Sequence, residues 1–200
     1  EKDQQYIKAA ETFMILPKQY SKSPLTIKGI VRAGDAHKKA ANAKKSDKNF
    51  YEQEYREAAQ TYLFITNNFP QDSMAFMAIG SAAQVYDTIA DKKSAAVTYE
   101  LAYKRYPKDE RTPGYLYSAC LSYDEAKMTD EAIRCNKDLV RDYPKSSYAL
   151  DAAFSIPMAY GNAKKWDIAA TEYHNFIKAY GQEDKEKLIA AYIGAARAYM

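Results

Sequence analysis

Side chains able to do chemistry are few in this chain. It holds two histidines, His37 and His174, and two cysteines, Cys120 and Cys135, among 200 residues. Histidine catalysis needs an imidazole held by a partner group, and each histidine reads as an ordinary core or surface residue. The four His and Cys residues do not follow zinc-ligand spacing, so no metal and no cofactor is expected. Glycine-rich phosphate loops, GxSxG, HExxH and calcium-loop patterns are absent. Carboxylates are plentiful, as in YDEAK (123–127), but nothing selects an acid–base pair. The expectation is a protein that is not an enzyme.

The elements that carry these residues repeat. Phe69-Pro70, Tyr106-Pro107, Tyr143-Pro144 and Tyr180-Gly181 stand 37 residues apart. So do Ala58, Ala95, Ala132 and Ala169, with Tyr62, Tyr99, Asn136 and Tyr173 four residues after each. Asn136 breaks the aromatic pattern. Ala9 and Phe13 repeat the pair 49 residues before Ala58 and Tyr62, which places an insertion of twelve at about 40–52. Fixed-period self-similarity of this kind marks a repeat architecture.

Each 37-residue unit has room for two helices of about 15 residues, each roughly 22 Å long, and two turns. Ser73–Ile89 carries helical apolar spacing with Ser73 placed as N-cap; ADKK turns the chain, and Ser94–Tyr106 forms the second helix. Proline after the aromatic cannot continue that helix, because it lacks the N–H and clashes with the preceding turn. Alanine recurs where helices must approach to 8–10 Å. A second small position runs Gly34, Ala83, Cys120, Pro157 and Gly194 on the first helices, followed three residues later by His37, Tyr86, Tyr123, Tyr160 and Arg197. Tyrosine packs its ring and keeps its hydroxyl at a polar rim, which accounts for most of the nineteen tyrosines. Pro157, within a first helix, is expected to kink or split it. Cys120 takes the small crossing position and behaves as a small hydrophobe. Cys135 precedes the aromatic position by one and is expected at another azimuth, so a disulfide between them is the less favoured alternative. Two cysteines fit either redox compartment.

These residues resemble the tetratricopeptide repeat: small residue and Tyr on the first helix, Ala and aromatic on the second, then Pro. The resemblance covers nearly the whole chain and implies an all-α fold, a right-handed α-α superhelix of about five helical hairpins in one solenoid over residues 1–200. The unit departs from the common 34-residue form, its extra residues lying between the Pro and the next first helix. This longer form with its aromatic-Pro ending is similar to bacterial envelope members, of the outer-membrane assembly lipoprotein and Tol-Pal-associated type. It implies a bacterial periplasmic or outer-membrane-associated place, the cytoplasm being the alternative. Residues 5–20 read as a lone second helix and KEKLIAAYIGAARAYM as a lone first helix. Both ends thus fall within a repeat, as if cut from a longer array; the alternative is that the ends pair with other molecules.

In this family the first helices line the concave face. Carried over position by position, that implies a groove of Lys28, Val31 and Asp35, then Met77, Gln84 and Asp87, then Tyr117, Leu121 and Asp124, and finally Phe154 and Met158. The apolar members in its middle mark an interaction site, suited to a partner helix or extended peptide. Changing Phe154 and Leu121 to Asp is expected to abolish capture without altering melting. The family's carboxylate-clamp set of Lys, Arg and Asn is missing at these positions. The functional expectation is a protein-binding scaffold whose partner, a protein or peptide, the residues do not identify. Alternatives are a regulatory or targeting region of a larger enzyme, and a module that self-associates through open repeat ends. Net charge is +3, with residues 1–48 at +6 and the remainder at −3; no nucleic-acid motif accompanies the basic end. No apolar run reaches the roughly 20 residues of a membrane span, and EKDQQYIKAA is not a signal-peptide pattern.

Overall fold

A computed structural model describes residues 2–200; Glu1, the first residue of the expected repeat domain, lies outside them. Among the described residues there are eleven helices and no strand: α1 (Lys2–Phe13), α2 (Ile15–Gln19), α3 (Thr26–Ala43), α4 (Lys48–Asn68), α5 (Met74–Thr88), α6 (Lys92–Arg105), α7 (Thr112–Glu125), α8 (Thr129–Asp142), α9 (Ala149–Asn162), α10 (Trp166–Tyr180) and α11 (Lys185–Ala198). None is long and apolar enough to cross a membrane. The chain divides into two compact units, residues 1–102 and 103–200.

In the first unit α3 packs on α1 and α4, and α4 on α5. The lone second helix expected over residues 5–20 is broken at Met14. Pro17 has no N–H to give the Phe13 carbonyl and its ring clashes there, so α1 stops at Phe13 and α2 is a separate turn. Residues of the expected insertion lengthen the next hairpin: α3 and α4 have 18 and 21 residues, against 14 or 15 for each later helix from α5 to α11. In the second unit each of α7 to α10 packs on the next. Ala58, Ala95, Ala132 and Ala169 are at most 1% exposed, as close helix crossing requires. Ile189, Tyr192 and Ile193 on α11 are about half exposed. Their counterparts one unit earlier, Ala152, Ser155 and Ile156, are buried or half-buried.

The recurring aromatic-Pro is one leg of a turn. Ser23, Asp72, Asp109 and Ser146 each donate a backbone N–H to the aromatic residue three before, Tyr20, Phe69, Tyr106 and Tyr143. Their side chains then accept the N–H of the residue two further on, 2.8 Å for Asp72 and Met74. Ser73 therefore does not cap α5: its side chain makes no capping bond, and Asp72 takes the role with its longer reach and full charge. Pro157 does not split its helix; α9 runs unbroken to Asn162 with the proline buried.

The turn from first to second helix repeats as well. Ala90, Lys127 and Lys164 have φ of 57°, 61° and 58°, and the next residue's N–H returns to the carbonyl of Tyr86, Tyr123 or Tyr160. This is a left-handed helix cap made without glycine. The conformation costs a residue with a Cβ about 1–2 kcal/mol, and glycine's looser unfolded chain returns about 0.4–1 of that. Lys127→Gly is expected to stabilise the protein by up to about 1 kcal/mol, read as a raised denaturation midpoint at unchanged slope.

Candidate functional site: the first-helix faces

In the first unit Lys28, Val31 and Asp35 come together. With Ile27, Arg32 and Met74 they line a cleft of about 830 Å³ between α3, the 21–24 turn and the 69–74 turn. Lys22, Lys28 and Arg32 outnumber Asp35 and Asp72 on its walls, so it is cationic. Asp35 is held by the Tyr62 hydroxyl, which donates to it at 2.6 Å, and lies 3.8 Å from Lys38. Burial first, and this carboxylate second, push the Tyr62 phenol far above its ordinary range. On α5, Met77 and Gln84 are exposed, whereas Asp87 is occupied by Lys92 (2.9 Å) and the Tyr99 hydroxyl (3.2 Å).

In the second unit Leu121, Asp124 and Met158 surround a smaller cavity of about 70 Å³ whose wall includes Asn136. Tyr117 is half-buried and stacks on Tyr148, ring centroids 5.2 Å apart. Phe154 turns into packing: its ring meets Phe176 at 5.2 Å and Tyr173 at 6.3 Å, beside buried Ala153 and Ala191. An Asp there disturbs this cluster, so Phe154→Asp is not a substitution that leaves melting unchanged.

The cysteines are joined: Cys120 and Cys135 form a disulfide with a Cα–Cα distance of 5.3 Å. Contrary to the expectation, Cys135 does not stand at another azimuth from the crossing face. Cys135 follows Ala132 by three residues, which puts both on one face of α8, and that face crosses α7 at Cys120. His37 Nδ1 lies 2.8 Å from the buried Glu54 carboxylate, and His174 Nδ1 lies 2.8 Å from the Ala170 carbonyl. No group of three or more His, Cys, Asp or Glu residues disposed to hold a metal occurs among the described residues.

Asn136 is the site residue that pattern reading passed over as a mere break. It is 4% exposed; its Nδ2 donates to the Ala132 carbonyl at 2.9 Å, while its Oδ1 has no partner. A buried acceptor left unmet costs about 1–3 kcal/mol.

No protein-family model matches the chain, and no curated protein matches its sequence. Solved structures do. A putative kinesin light chain of Podosopora anserina with nearly identical TPR-like repeats is 15% identical, with a TM-score of 0.53 over 91% of this chain and 90% of its own. A singly substituted form of the same protein gives 0.52 over 91% and 89%, also at 15% identity. BtubC (BKLC) from P. vanneervenii aligns over 99% of this chain and 82% of its own, at 15% identity and a TM-score of 0.49. The helical hairpins, the buried alanines at 37-residue spacing and the likeness to the kinesin light chain agree: this chain has the all-α fold of tetratricopeptide-like helical repeats.

Proposed function

We propose that this chain is a non-catalytic scaffold that holds a peptide or partner helix against the first-helix faces of its hairpins. The observation that carries the reading is the pair Leu121 and Met158. They occupy the same position in successive units, 37 residues apart, are each 45% exposed and face one cavity. Flexible apolar side chains left in water beside a recess gain most from burial by a partner. The cationic cleft of the first unit favours a partner segment with acidic residues there. The buried Cys120–Cys135 disulfide supports an oxidising compartment, and with the aromatic-Pro repeat style supports the bacterial cell envelope, where the chain would serve assembly.

The test is capture from an extract of the protein's own cells. Leu121→Asp with Met158→Asp is expected to abolish capture, by a loss of at least about 30-fold in affinity, while melting stays near that of the parent because both side chains are already half in water. Unchanged capture overturns the reading. Association of copies through the exposed face of α11 is the second reading, supported by Ile189, Tyr192 and Ile193; a sedimentation mass equal to that of the monomer at every concentration removes it.

A further inference from the structure

We infer that the second unit holds a receptor for a primary ammonium, the side chain of a lysine in the bound partner, in the space where the repeat's own tyrosine is missing. The inference rests on the groove reading and names part of what the groove takes. In the first unit Tyr99 fills the corresponding position, and its hydroxyl and Lys92 both donate to Asp87. Thirty-seven residues on, Tyr99 becomes Asn136, Lys92 becomes Thr129 and Asp87 becomes Asp124. The acid is kept while both of its donors are lost. Among the described residues no hydrogen bond or ion pair reaches the exposed Asp124 carboxylate, and the buried Asn136 keeps its Oδ1 unpaired.

Both residues line the 70 Å³ cavity, with Leu121, Met158 and Ser155. The recess is far smaller than the cleft of the first unit, and a slender ammonium with its last methylene suits it. The acceptors suit a group with N–H donors and no acceptor: the Asp124 carboxylate and Ser155 Oγ, whose own proton goes to the Asp151 carbonyl at 2.9 Å, with the unpaired Asn136 Oδ1 buried in the same wall. The exposed Leu121 and Met158 flank the opening for the methylene stem, which prefers apolar walls. An anion is disfavoured by the free carboxylate.

Nitrogen-edited NMR of the full chain tests this with N-acetyl-lysinamide and with N-acetyl-norleucinamide, which has the stem without the ammonium. The lysine probe is expected to give saturable shifts at Leu121, Asp124, Met158 and the Asn136 side-chain amide. Affinity should fall at least about tenfold for the norleucine probe and in Asp124→Asn, a surface change that leaves the fold intact. Asn136→Tyr restores the repeat's aromatic and closes the cavity, and is expected to remove the response. Equal response to both probes, a response that survives Asp124→Asn, or no saturable shift because the cavity holds water only, each overturns the inference. Partner capture lost in Leu121→Asp with Met158→Asp but kept in Asp124→Asn removes the ammonium site and leaves the groove reading standing.

Discussion

Reduction of the Cys120–Cys135 bond is expected to lower the melting temperature by roughly 6–12 °C. The bond closes a loop with a sequence separation of 15, and cross-linking such a loop removes unfolded-chain entropy worth about 3 kcal/mol. In a chain of this size each kcal/mol moves the midpoint by about 2–4 °C. Both cysteines are buried, at 1% and 0% exposure, so the folded unit keeps its packing around them and the loss falls chiefly on the unfolded state. Melting followed by circular dichroism with and without reductant checks this. The double variant Cys120→Ala with Cys135→Ala is expected to track the reduced protein, because alanine suits a close helix crossing. A reductant-insensitive melt together with two titratable thiols would show that the bond does not form in solution.

Gly34→Leu is expected to cost about 3 kcal/mol or more. A Cβ at Gly34 would stand 2.6 Å from Tyr62 Cε1 and 2.8 Å from its Cζ. The ring cannot step aside: it is 3% exposed and its hydroxyl is tied to Asp35. Overpacking of a close crossing costs about 1–3 kcal/mol, occasionally more, and a branched side chain extends the clash beyond Cβ. Helix propensity works the other way, by about 1 kcal/mol in favour of alanine over glycine, so Gly34→Ala is expected to lose less. Gly161→Ala supplies the contrast. Its new Cβ would meet only Trp166 Cζ3 at 3.7 Å, an ordinary contact, so propensity wins and stability rises. Denaturant unfolding of the three variants decides the signs; a stable Gly34→Leu protein would mean that α3 and α4 do not cross at this point.

What could be read early follows from how the information is stored. Helix periodicity, the proline that stops each second helix and the alanine at each crossing are local, and every unit restates them. The helix-capping Asp72, the left-handed Ala90, Lys127 and Lys164, and the break at Met14 were less legible. Each depends on which of several adjacent polar or flexible residues the turn geometry selects. The groove residues divided on the same ground. Lys28, Val31 and Asp35 share a cleft, and Leu121, Asp124 and Met158 share a cavity, whereas Phe154 rotates into a cluster with Tyr173 and Phe176.

By itself the sequence determined that the chain is a series of helical hairpins, because repeated short-range patterns dictate helix, turn and contact face one unit at a time. Tertiary structure alone decided that two cysteines meet, that Phe154 is packed, and that Asn136 leaves a recess beside an unpaired Asp124. Those outcomes depend on distances between side chains from different helices, and a one-dimensional spacing fixes the face a residue occupies but not what stands opposite it.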